Sequence, residues 1–334
     1  MPTPCRAAAA AFASRITESD LPALRRLSAS RRRAFALDLC ALLDFATPGG
    51  EHVSGSPSPN AGGLRAAMMV DHVPGMTSRA ACALVRQLSL ASRRSVPDAR
   101  NLQVLEVHDV VIIAHAPRLR DELLGWRGAD DAPPPRRRWL IDVLPAAGPA
   151  MCAAAVCDAL ARAADALGGA PADDRGRPRR GGAAGEDEAR DEEGEKDGAP
   201  RDLVAALGAL ADAVPLPTLV GACLGYPRVY AWSDAGDVAS AARALSSETL
   251  VAYEARARFR GGDGEAAAEK TRVCGFSAPR RRKEGDDEHD EAAHRERDVR
   301  VWFEAMRERA IAGGDVWTDL ELRVETRGAG PVAL

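Results

Sequence analysis

The chain has 334 residues, of which 4% are aromatic and 28% charged, and its formal net charge is −4. Lys and Arg alternate with Asp and Glu, without the basic stripe that nucleic-acid binding leaves, so nucleic acid is set aside as the main partner. No apolar run approaches the roughly 18 to 20 residues needed to cross a bilayer, which speaks against membrane insertion.

Seven cysteines, at 5, 40, 82, 152, 157, 223 and 274, are scattered and odd in number. That is the pattern of reduced thiols, and it points to the cytoplasm. Residues 1–15 carry Arg6, Arg15, many alanines and no acid, like the opening of an organelle import peptide, until Glu18 and Asp20 break the pattern. Import is therefore the alternative location, and residues 1–18 are expected to be a flexible N-terminus.

Ser19 and Asp20 before Leu21-Pro22 form a helix-start signal, and Phe35, Leu39, Leu42 and Leu43 recur at helical spacing up to Pro48-Gly49-Gly50. The spacing predicts an amphipathic helix broken near residues 28–30. A Gly, Ser and Pro-rich loop covers 48–63. Residues 64–70 read as a buried strand that ends in the turn Asp71-His72-Val73-Pro74-Gly75. Thr77 or Ser78 then caps a helix with Ala81, Leu84, Val85 and Leu88 on one face. Residues 104–114 are either one long strand or a hairpin folded at His108-Asp109.

A short helix over 117–126, a strand over 139–143 and a helix opened by Gly148-Pro149 complete a strand–helix rhythm that suggests an α/β layer. Residues 168–200 have almost no large apolar side chain and cannot offset their ordering entropy. A helix resumes at 203–211. Residues 250–259 alternate as a half-buried strand, 272–277 pair with them, and 279–297 read as a second charged insertion. A helix over 299–311, stopped by Gly313-Gly314, and a strand over 317–326 close the chain. The expected fold is one α/β domain over 19–334. Its single mixed sheet is parallel-like in the first half, antiparallel in the second and flanked by helices. Disordered charged loops at 48–63, 168–200 and 279–297 interrupt it.

Candidate chemistry falls in two places. Residues 221–232 hold Tyr226, Tyr230 and Trp232 in an aromatic-poor chain. A helix stop followed by a strand accounts for Gly225 and Pro227, which leaves Tyr226, Arg228 and Tyr230 to line a pocket for an anionic or planar ligand. The second place is the set Asp71, Asp109 and Asp142, acids at or near strand ends, where carboxylates can hold Mg²⁺ or act as nucleophile and base. Asp is equally a favoured turn residue. His72, His108 and His115 lack a metal-binding spacing and read as core or surface residues. Cys152 and Cys157 lie on different faces of a helix and read as packing residues. Phosphate-binding glycine loops and a nucleophile elbow are missing. Nothing in the residues names a metal, a cofactor or a partner.

Met68-Met-Val-Asp71 with its Pro-Gly turn, residues 104–113, Trp139-Leu-Ile-Asp142, Leu224-Gly-Tyr-Pro-x-x-Tyr230 and the closing Gly-Pro-Val-Ala-Leu occur in an order that resembles a eukaryotic family with a domain of unknown function. Its vertebrate member is known only as an open reading frame on chromosome 1. The resemblance covers most of the chain from Leu21, outside the charged insertions, and implies a soluble intracellular protein. It carries over no functional residue. Two functions are therefore expected: a non-catalytic binding or adaptor module, or a metal-assisted hydrolase or phosphotransferase. In the second, Asp71 and Asp142 serve as metal ligand or nucleophile and Arg228 steadies an anionic substrate.

Overall fold

The computed structural model describes residues 3–45, 63–107, 110–126, 139–142, 151–168, 214–232, 238–261, 269–280 and 288–330. The chain opens with helix α1 (Pro4–Thr17), started by the Thr3 hydroxyl, which accepts the Arg6 amide. Ala9, Phe12 and Ile16, spaced at three and four, are buried in the main core. The flexible N-terminus expected for 1–18 is thus corrected.

Helices α2 (Pro22–Arg25) and α3 (Ala29–Cys40) follow, with the Ser28 hydroxyl capping α3. Arg32 locks this corner by donating to the carbonyls of Leu27, Thr17 and Arg25. After β1 (Ala67–Met69), α4 (Ser78–Ser92) starts at Thr77 and buries Ala81, Leu84, Val85 and Leu88. A 3-10 turn (Pro97–Asn101) leads into β2 (Leu102–Val107) and β3 (Val110–His115), followed by α5 (Ala116–Leu124).

β2 and β3 form an antiparallel hairpin, with Val104 opposite Ile113, and β1 adds antiparallel to the other side of β3. Strands joined by so few residues can pair only antiparallel, because a parallel partner needs a long crossover. Next come β4 (Trp139–Asp142), α6 (Met151–Gly168), α7 (Leu216–Cys223), β5 (Arg228–Ala231) and α8 (Val238–Ser246). β4 and β5 pair in parallel, with Trp139 opposite Arg228. The chain closes with β6 (Leu250–Phe259), β7 (Thr271–Pro279), α9 (Glu288–Ala312) and β8 (Trp317–Arg327). β6 is the centre of an antiparallel sheet of order β7-β6-β8.

The expected single mixed sheet is therefore overturned. Two separate antiparallel sheets flank the fold, and among the described residues parallel pairing is confined to β4 and β5. The strand–helix rhythm misled because the crossover through α4 leaves β1 and β2 on either side of the antiparallel β3, and α5 leads from β3 to a strand of another sheet. A second correction concerns 279–297: Pro279 ends β7, and residues 288–297 form the first turns of α9. The charged residues 288–297 extend the helix expected over 299–311, whose Val299, Trp302 and Met306 pack in the core. Residues 48–62, 169–200, His108, Asp109 and the helix expected at 203–211 lie outside the described residues. Among the described residues no helix is long and apolar enough to cross a membrane.

Two core clusters carry the fold. One joins α1, α3 and α4 to parts of both antiparallel sheets, and the other sets α5, α6 and α7 against the β2–β3 hairpin. Tyr226 packs against both.

Candidate functional site

Helix α7 ends as its residues dictate. Gly225 takes φ 74°; its amide donates to Ala222 O at 3.1 Å and the Tyr226 amide to Gly221 O at 3.1 Å. This bond pair is a Schellman stop, and only glycine enters it without a Cβ penalty. A Cβ there would meet the Glu122 carboxyl at 3.3 Å.

The three residues beyond the stop all turn inward. The Tyr226 ring lies 5.3 Å from that of Phe276. Its hydroxyl is pushed above its ordinary pKa by burial, in the field of Cys274, Arg65, Arg272 and Asp71. Arg228 Nη2 meets Asp298 of α9 at 3.1 Å, both side chains being mostly buried. Burial lowers the Arg228 pKa and Asp298 opposes that. The Tyr230 hydroxyl donates to Ser277 O at 2.8 Å. Trp302 of α9 adds a bond from Nε1 to the Gly225 carbonyl at 3.1 Å. Residues 225–230 are thus the joint between the β4–β5 pair, the β7-β6-β8 sheet and α9.

Tyr230 also belongs to a row that closes a sheet edge. Arg65 Nη1 donates to Val273 O at 2.8 Å and Arg295 Nη1 to Pro279 O at 2.9 Å, on either side of the Tyr230–Ser277 bond. Three outward carbonyls of β7 are so satisfied by side chains, which blocks strand addition there.

Asp71 lies within electrostatic reach of the Tyr226 hydroxyl but on the surface. It opens the turn after β1, 65% exposed, with Oδ1 at 3.5 Å from His72 Nδ1. His72 Nε2 stands 3.5 Å from Asp38 Oδ2, and Asp38 Oδ1 is held by Arg65 Nη2 at 2.6 Å. The imidazole, at 5.9 Å from the Phe35 ring, is therefore set between two carboxylates, one anchored by an arginine and one largely exposed. Such a corner can receive a cationic group through Asp71. Asp38 and Arg65 gave no signal in the sequence, because neither stands in a motif and α3 brings Asp38 to Arg65 only in three dimensions. Asp142 pairs through its backbone with Ala231 in the β4–β5 pair, whereas Asp71 belongs to the β1–β3–β2 sheet. Among the described residues no group of three or more His, Cys, Asp or Glu is arranged to hold a metal ion.

A second polar cluster is structural. Asp98 Oδ1 meets His115 Nε2 at 2.7 Å and Asn101 Nδ2 at 3.0 Å, while Oδ2 takes Arg118 Nη2 at 3.0 Å and the Asp44 amide at 2.8 Å. His115 caps α5, its Nδ1 accepting the Arg118 amide, so the ring proton on Nε2 points at Asp98. Both imidazole nitrogens are engaged. Burial alone would raise the Asp98 pKa, but the His115 hydrogen bond, the Arg118 charge and the Asp44 amide outweigh it and hold the carboxyl well below the usual range. Arg118 reaches on to the Leu42 carbonyl. The thiols of Cys223 and Cys274, buried in the two cores, are pushed up to about 12 by that burial.

Comparison with family models, curated proteins and solved structures finds no match to the chain.

Proposed function

We propose that the protein is a non-catalytic binding or adaptor module, with the Asp71–His72 corner as the part of the candidate set that meets its partner. The observation that carries this reading is the division of labour among the candidate residues. Tyr226, Arg228 and Tyr230 hold Phe276, Asp298 and Ser277, while Asp71 stands 65% exposed on a turn beside a half-exposed imidazole. An exposed carboxylate backed by His72 suits a basic side chain of a partner, since a surface ion pair adds orientation at little energetic cost.

A photo-crosslinking residue at Pro74, beside this corner, tests the reading in living cells. Discrete crosslinked species that vanish on Asp71→Arg are expected. Their persistence in that variant would remove the corner from the interface.

The second reading, a metal-assisted hydrolase or phosphotransferase, draws support from the imidazole set between Asp38 and Asp71, a geometry suited to proton transfer. Thermal unfolding with Mg²⁺, Mn²⁺, Zn²⁺ and nucleotides separates the two. Stabilisation that disappears in Asp71→Asn or Asp142→Asn favours the enzyme; unchanged melting with every addition favours the module.

A further inference from the structure

The two edges of the β7-β6-β8 sheet are treated differently. The β7 edge is closed by Arg65, Tyr230 and Arg295. β8 pairs only with β6 among the described residues, and its residues 323–327 are exposed on both faces. Val324, in the middle, is 55% exposed. An uncovered edge strand with an apolar side chain is a template for another strand.

The register shows which β8 groups face outward. Arg280 donates to Thr249 O, so the pairs in step with it, Val251 with Ala278 and Tyr253 with Phe276, bond β6 to β7. The intervening β6 residues Ala252 and Glu254 then face β8, opposite Glu325 and Arg323. Along this part of β8 the odd positions bond inward, and Leu322, Val324 and Thr326 turn their amides and carbonyls outward.

On one face of the strand the charges alternate as Glu321, Arg323, Glu325 and Arg327. Read antiparallel against a second copy about a two-fold axis at Val324, this series complements itself. Arg323 faces Glu325 of the other copy and Glu321 faces Arg327, each pairing occurring twice. Val324 meets Val324, and Leu322 meets Thr326. The outward-facing residues fall opposite each other, as a hydrogen-bonded ladder requires. Moving the axis by one residue to Arg323 sets Arg323 on itself and Glu321 on Glu325, and moving it to Glu325 sets Glu325 on itself and Arg323 on Arg327. Both neighbouring registers stack like charges, which destabilises cross-strand pairs.

We propose that the protein forms a symmetric homodimer by antiparallel pairing of β8 with β8 about Val324, joining two three-stranded sheets into one of six. The interface is isologous, as two-fold closure demands. It is independent of the Asp71–His72 reading and stands or falls separately.

Sedimentation velocity of the full chain tests it, with wild type expected to sediment as a concentration-dependent dimer. Glu325→Arg faces Arg323 of the partner at both symmetric positions and is expected to raise the dimer Kd roughly tenfold or more. Adding Arg323→Glu restores opposite charges and is expected to recover the dimer. Val324→Pro removes an amide that faces away from β6, so the monomer keeps its internal ladder while the two-fold pair is lost; circular dichroism and thermal melting monitor that the monomer is folded. A monomeric wild type, a dimer indifferent to Glu325→Arg and Val324→Pro, or a dimer not regained by the charge swap each overturns the proposal.

Discussion

The hydroxyl of Tyr230 donates to the main-chain carbonyl of Ser277 at 2.8 Å, across a sequence separation of 47. This bond ties the β4–β5 pair to the edge of the β7-β6-β8 sheet, and with Arg228 and Trp302 it turns the most aromatic stretch of the chain into a joint. Tyr230→Phe is expected to cost about 1 kcal/mol, the net value of one such bond. Arg228→Met removes the guanidinium that meets the mostly buried Asp298 carboxylate, and about 3 kcal/mol is expected. Urea denaturation measures both. Recovery of most of the Arg228→Met loss by a second change, Asp298→Asn, would identify the lost ion pair as the cause.

The two glycines of α7 serve different needs. Gly225→Ala forces a left-handed φ of 74° on a residue with a Cβ and is expected to cost about 1 to 2 kcal/mol. Gly221→Ala keeps helical backbone but places a Cβ 2.7 Å from Val229 Cγ1, an overpacking cost of about 1 to 3 kcal/mol. Adding Val229→Ala should relieve the second and leave the first unchanged. Chemical denaturation of the single and double variants distinguishes them.

Acid should act through Asp98. Its folded pKa lies below the unfolded value, so its contribution to stability is present above the unfolded carboxyl range and is lost as pH falls toward the folded pKa. Stability measured between neutral pH and about pH 3 is expected to decline with a slope that Asp98→Asn flattens. The same variant is expected to lose about 3 to 5 kcal/mol at neutral pH, because Arg118 is left buried without its carboxylate. An unchanged acid slope would show that other carboxyls govern this limb.

The N-terminal helix is part of the core. Phe12 is fully buried and its ring lies 6.1 Å from that of Phe45, edge-on. Phe12→Ala should therefore cost about 3 to 5 kcal/mol, as a large-to-small change in a packed core does. A flexible leader would tolerate the same change with no shift in the thermal midpoint.

Local structure was legible wherever its cause lay within a few residues. Thr77 before α4 and Gly225 after α7 act through bonds to amides and carbonyls three to five positions away, and the alternation over 250–259 follows from the pleat itself. The sheet arrangement and the fate of the candidate residues depended on distant partners. Arg228 reads as a ligand-binding cation until α9 brings Asp298 to it from 70 positions away. Asp71 reads as one strand-end acid among three, until α3 sets Asp38, held by Arg65, beside His72.

By itself the sequence determined the helix caps and stops, the apolar faces and the strand periodicity, because each is a near-neighbour contest between backbone hydrogen bonds and side-chain burial. Only the tertiary structure decided that the strands form two antiparallel sheets and one parallel pair, that Tyr226, Arg228 and Tyr230 face inward, and that, among the described residues, side chains close the β7 edge while β8 pairs only with β6. Strand partners and ion pairs are chosen by whichever groups the packed core brings within bonding distance, and that choice is written in no single stretch of the chain.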